Sequence, residues 1–180
     1  MSKHNVDFVT LYSDATFRDS YRGHPIRDDR RKAAYAFWLR SDGGKHTEYK
    51  VCPVDIINSN QAEIYAICQG IYIGMKRWPE TKGFYITSDS QNALSRLERP
   101  LLLVNSKGKP IHDVELRLKK KFDSMVKEYG IKVIFRWVRG HSGGVSTPSW
   151  LNKWCDSMGR KAIKEHDKSL ICNKKLRSGV

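Results

Sequence analysis

Asp14 closes the run Phe8-Val9-Thr10-Leu11-Tyr12-Ser13, Glu63 follows Asn60-Gln61-Ala62, Asp89 closes Phe84-Tyr85-Ile86-Thr87-Ser88, and Asp156 follows Asn152-Lys153-Trp154-Cys155. Three of these acids end or follow segments whose composition suits the interior. An ionised carboxylate beside a core is costly unless it is paired, hydrogen-bonded or bound to a metal. Several of them at strand ends and helix starts point to a shared cation site built from oxygen ligands. The chain around them is strongly basic, with 33 Lys and Arg against 19 Asp and Glu and a formal net charge of +14. An acidic cluster in such a chain is coherent if the substrate is a polyanion and the cluster holds the metal that cuts it.

Taken singly, each residue has a plainer reading. Glu63 suits the first turn of a helix, where the helix dipole favours an acid. Ser88-Asp89-Ser90 ahead of a helical segment reads as an N-cap. Asp14 reads as a loop acid, and His141, in Gly140-His141-Ser142-Gly143-Gly144, as a surface histidine. The basic excess by itself reads as a solvated surface, because net charge governs association and not fold.

The elements that must position these residues follow from periodicity. Residues 6–13, 33–39 and 46–54 are rich in strand formers, and the last two segments flank Ser41-Asp42-Gly43-Gly44 as hairpin strands do. They predict three antiparallel strands. Residues 18–32, polar and charged with Gly23 and Pro25, predict a long surface loop. Ile64, Ile67, Ile71 and Met75 recur at helical spacing over residues 60–77, and Pro79 with Gly83 marks the exit to a buried strand over 84–87. A short helix from Gln91, a connector over 105–110, a basic helix over 114–129 stopped by Gly130, and a strand over 132–138 come next. A last helix over about 149–164 aligns Leu151, Trp154, Cys155, Met158 and Ala162 on one face. The class is α/β and the order βββαβααβα. In a sheet where the first and fourth strands are neighbours, Asp14 and Asp89 emerge at one edge.

With 180 residues and 39% hydrophobic content, the chain can bury one substantial core, expected over residues 1–168, followed by a basic tail over 169–180. Cys52, Cys68, Cys155 and Cys172 form no CxxC pair, which argues against a zinc ribbon and a disulfide framework and for reduced, buried thiols. The N-terminal Met1-Ser2-Lys3-His4-Asn5 lacks the apolar run of a signal peptide, and the apolar-rich stretch 64–75 contains Gln69. The expectation is a cytoplasmic, soluble monomer with no membrane association.

Four motifs stand in order: Tyr12-Ser13-Asp14, Asn60-Gln61-Ala62-Glu63, Thr87-Ser88-Asp89-Ser90-Gln91, and Trp137-Val138-Arg139-Gly140-His141 followed by Asp156. Here the sequence resembles ribonuclease H of type 1, over roughly residues 6–165. That family has a strand-end Asp, an N-[QN]-x-x-E helix start, a T-D-S-x strand end and a W-V-x-G-H loop leading to a helical Asp. The resemblance implies a ribonuclease H-like fold, a five-stranded mixed sheet flanked by helices. It implies that Asp14, Glu63, Asp89 and Asp156 bind two Mg²⁺ ions, with Mn²⁺ as a substitute, and that His141 assists proton transfer or product release. The implied activity is hydrolysis of the RNA strand of an RNA–DNA hybrid, leaving 5′-phosphate and 3′-hydroxyl ends. Thr16, Asn58, Asn60 and Gln61 are the implied substrate contacts, because small polar groups sense 2′-hydroxyls and backbone shape. Lys107 and Lys109 add basic contacts.

The alternative is a nucleic-acid-binding module that kept the fold and lost catalysis. The joint presence of four carboxylates and His141 argues against it, since binding alone needs no metal cluster. The chain also departs from the family. Asp14-Ala15-Thr16 replaces a Gly-Ser type sequence, the region 92–121 lacks the usual tryptophans and carries Leu101-Leu102-Leu103-Val104, and His112-Asp113 falls where an Asn often holds a DNA phosphate.

Overall fold

The structure is a computed structural model that describes residues 7–21, 24–25, 32–139 and 147–177. Strand β1 (Phe8–Phe17) is the middle of a five-stranded sheet. After the two-residue strands β2 (Ser20–Tyr21) and β3 (His24–Pro25), which pair only with each other, come β4 (Ala33–Ser41) and β5 (Gly44–Val51). Helix α1 (Ser59–Arg77), strand β6 (Gly83–Ser88), helices α2 (Gln91–Glu98) and α3 (Asp113–Tyr129), strand β7 (Lys132–Trp137) and helix α4 (Thr147–Arg177) complete the chain. The sheet order is β5-β4-β1-β6-β7. β1, β4 and β5 are antiparallel, whereas β1, β6 and β7 are parallel, so the sheet is mixed as the resemblance implies.

Alternation along β1 sorts its side chains between two layers. Val9, Leu11 and Ser13 turn toward α1, and Leu11 packs so tightly that a Cβ on Gly70 would lie 2.5 Å from Leu11 Cδ1. Val9 and Leu11, together with Phe37, Leu39, Ile64, Ile67, Ile71, Phe84 and Ile86, all fully buried, form the core that α1 to α3 cover. Thr10, Tyr12, Asp14 and Thr16 turn to the other face, which α4 covers. There Ala162 and Ile163 pack on Ala34, and a Cβ on Gly159 would lie 2.8 Å from Thr16 Oγ1.

Three boundaries differ from expectation. β1 does not stop at Ser13 but continues to Phe17, because β4 goes on pairing with it as far as Phe17↔Ala33. The parallel ladder with β6 ends earlier, at Tyr12↔Thr87. Asp14 therefore sits inside the strand, at the point where the sheet opens on one side. The loop expected over residues 18–32 holds the small β2–β3 ladder. Finally, α4 runs through the region expected to be a tail, to Arg177, since residues 165–177 contain helix formers and neither Gly nor Pro. Among the described residues no helix is long and apolar enough to cross a membrane.

Candidate metal centre

Three elements deliver three carboxylates to the opening in the sheet. Asp14 comes from β1, Glu63 from the second turn of α1, and Asp89 from the residue after β6. Asn58 fixes the start of α1, its side-chain oxygen accepting from the Gln61 amide at 2.8 Å. One carboxylate oxygen from each of Asp14, Glu63 and Asp89 lies within 4.8 Å of the others. The Ala15 amide donates to both Asp14 Oδ1, at 2.9 Å, and Glu63 Oε1, at 3.2 Å. Asp89 is held from two sides: its Oδ2 accepts from Asn152 Nδ2 at 2.9 Å, and its carbonyl accepts from Trp137 Nε1 at 3.0 Å.

This packing is electrostatically unfavourable without a counter-charge. Asp14 and Glu63 are each only 7% exposed. Burial first, then the charges of Asp89 and Asp156, push the Asp14 carboxyl from its ordinary 3.8 up to about 7. Burial, with Asp14 and Asp89 beside it, holds Glu63 well above the usual carboxylate range. Glu63 Oε2 is buried and has no hydrogen-bond partner among the described residues, so a donor-poor oxygen faces a cluster of like charge. A hard divalent cation fits such a set of oxygen ligands. The Cys155 thiol, the nearby soft donor, is pushed up by burial and then by the same three acids, which keeps it protonated.

Asp156 stands apart from this triad. It lies near enough to raise Asp14, but both its oxygens are taken by Arg160 one turn later on α4, with Nε to Oδ1 at 3.0 Å and Nη2 to Oδ2 at 2.7 Å. Asn152, Asp156 and Arg160 thus form an i, i+4, i+8 stripe beside the triad. Composition does not reveal Asn152 and Arg160, but their four-residue spacing from Asp156 does.

The other candidates are dispersed. His141 lies outside the described residues. Thr16 is against α4, its hydroxyl 3.5 Å from the Asp156 carbonyl. Asn60 lines a cavity of about 630 Å³ shared with Arg96, Arg99, Leu102, Asn105 and Ser106, and its Oδ1 is buried without a partner. Gln61 is fully buried, with Oε1 accepting from the Ile57 amide at 2.9 Å, so it braces the loop before α1 and does not reach an external ligand. The reason is register. One residue separates Gln61 from Glu63 where the family pattern has two, and about 100° of helix rotation turns the amide inward. Lys107 and Lys109 are exposed on a turn whose backbone amides donate to Asn105 Oδ1. His112 caps α3, its Nδ1 accepting from the Val114 amide at 3.2 Å, and Asp113 is exposed beside it.

A mixed sheet of this order, helices on both faces and acids gathered where the parallel ladder ends define a ribonuclease H-like fold. The RNase H family matches residues 7–164, and the chain belongs to that family. Similar solved structures include RNase H1 from the halophilic archaeon Halobacterium salinarum NRC-1, at 18% identity and a TM-score of 0.58 over 88% of this chain and 98% of that one. LC11-RNase H1 in complex with an RNA/DNA hybrid aligns at 14% identity and a TM-score of 0.57, over 90% of this chain and 99% of that one. The RNase H domain of the foamy virus PFV aligns at 13% identity and a TM-score of 0.60, over 87% and 94%. No curated protein matches the chain.

Proposed function

We propose that this protein is an endoribonuclease that hydrolyses the RNA strand of RNA–DNA hybrids, with Asp14, Glu63, Asp89 and Asp156 as ligands for two Mg²⁺ ions, replaceable by Mn²⁺. The observation that carries the proposal is the buried triad with an unpartnered Glu63 oxygen. Divalent cations bound there would supply a nucleophilic hydroxide and charge neutralisation at the scissile phosphate, consistent with 5′-phosphate and 3′-hydroxyl ends. Family membership and the hybrid found with LC11-RNase H1 support the choice of substrate.

The chain's own residues set up the reaction. The Ala15 amide aligns Asp14 and Glu63, Asn152 and Trp137 fix Asp89, and Arg160 occupies both oxygens of Asp156, from which a cation would have to displace it. His141 is assigned proton transfer or product release. Thr16, Asn58, Asn60, Lys107 and Lys109 are assigned contacts to the hybrid.

The test is cleavage of end-labelled hybrid, duplex RNA, duplex DNA and single strands, each with Mg²⁺, Mn²⁺ or chelator, beside Asp89→Asn. The expected result is metal-dependent cutting confined to the RNA of the hybrid. Asp89→Asn should be slower by on the order of 10³-fold with hybrid binding intact. Cutting that survives in chelator or in Asp89→Asn overturns the metal assignment. Tight hybrid binding without any cutting establishes the binding-module alternative instead.

A further inference from the structure

A second cavity, of about 690 Å³, opens on the sheet face that carries Asp14, beyond the first turns of α4. The cross-strand register builds its floor. Thr10, Arg40 and Lys45 are directly opposed in one row, and Tyr12, Trp38 and Thr47 in the next. The row after that begins with Asp14, about 7 Å further along β1. Trp150 and Leu151 of α4 form the wall.

Its chemistry differs from that of the metal centre. Trp38 meets Trp150 edge to face at 5.7 Å and Trp154 edge to face at 5.3 Å, so the indoles hold one another in place. Trp150 is nevertheless 54% exposed. Lys45 Nζ stands 5.6 Å from the Trp38 ring centroid, and neither Arg40 nor Lys45 is held in an ion pair among the described residues. Among the described residues no Asp or Glu lines the cavity. Asn152 and Asp156 face the carboxylates, whereas Trp150 and Trp154 face Trp38, so the first turns of α4 separate the two sites.

We propose that this cavity binds a base and its flanking phosphate from an unpaired, single-stranded nucleic-acid segment. Exposed indole surface accepts any base by stacking, and two uncommitted cations beside it accept the phosphate. An uncharged apolar ligand would leave Arg40 and Lys45 unused, and an acidic peptide would leave the half-exposed indole without a planar partner. The choice of polymer rests on the proposed function, but the site itself does not depend on cleavage.

Binding is measured without catalysis, in chelator, by tryptophan quenching and anisotropy with a labelled oligothymidylate decamer, with thymidine monophosphate as a second probe. Trp150→Ala and the double variant Arg40→Glu, Lys45→Glu are compared with the wild type, and a thermal melt checks each fold. Trp150→Ala is expected to weaken decamer binding about tenfold. The double variant should reduce the magnitude of the slope of log affinity against log salt by about 0.7, the value for one phosphate of a single strand. Blunt-ended hybrid should be bound and cut as by the wild type. Decamer binding that is unchanged in both variants overturns the proposal. Monophosphate binding as tight as the decamer's overturns the assignment to a strand. Absence of hybrid cleavage, with the decamer results as expected, defeats only the proposed function.

Discussion

At the scale of single residues, the carboxylate cluster stores electrostatic repulsion. Asp14 has an ordinary value of 3.8 and a folded value of about 7, so the folded chain keeps a proton that the unfolded chain has already released between those limits. Stability from that proton is fully present below pH 3.8 and is lost as pH rises through 7. In chelator, the melting temperature of the wild type should fall from pH 5 to pH 8. Asp14→Asn should melt higher at pH 8, with a flatter profile. Parallel profiles from scanning calorimetry would remove the cluster as the cause. Cation binding displaces the same proton, so ion affinity should climb with pH up to about 7, as isothermal titration would record. Arg160 occupies both Asp156 oxygens and would compete with a cation for them in the proposed site. The pair is exposed on the arginine side, and such pairs contribute little, so Arg160→Ala should lower the ion concentration for half-maximal cleavage by about two- to fivefold. A rise instead would mean that Arg160 orients Asp156 and does not restrain it. The acids were legible in the sequence because each adjoins a segment that must be buried. The Arg160 fork was legible only as a four-residue spacing from Asp156, and the inward turn of Gln61 was not legible, since it depends on where the helix points its side chains.

At the scale of elements, the site depends on how closely α4 approaches β1. Gly159 makes that approach possible, because a Cβ would lie 2.8 Å from Thr16 Oγ1 and 3.6 Å from the Thr16 amide nitrogen. Gly159→Ala should cost about 1–3 kcal/mol by overpacking. It should also displace Asp156 from Asp14, weakening the response to the second ion more than to the first. Denaturant unfolding and ion titration on one preparation separate the two effects, and a destabilised variant with unchanged ion response would refute the coupling. The helical spacing of Ile64, Ile67, Ile71 and Met75 and the stop at Gly130 identified α1 and α3 from sequence, and Gly130 indeed takes a left-handed φ of 61°. The continuation of β1 through Asp14-Ala15-Thr16 was not legible, because it comes from pairing with a distant strand and not from local propensity. The extension of α4 was legible in the absence of Gly and Pro over residues 165–177, a cue outweighed by the density of charge.

At the scale of the whole molecule, a formal charge of +14 surrounds an acidic centre. If six or more phosphates are neutralised on binding, affinity for a hybrid should fall on the order of 10³-fold between 50 and 200 mM salt. Anisotropy measured across that range checks it, and a flat dependence would mean that the basic surface does not touch the substrate. The same charge has a consequence at the borders of the sheet. β5 and β7 are the outer strands, and each leaves one rank of backbone groups outside the five-stranded ladder. Lys45 and Lys50 are exposed on one, Lys132 and Arg136 on the other. Two molecules meeting border to border would bring like charges together before any ladder formed, so the cations act as gatekeepers against fibrillar growth. Conditions that mask them, such as concentrated polyanion or chemical acetylation, should therefore favour aggregation through these strands.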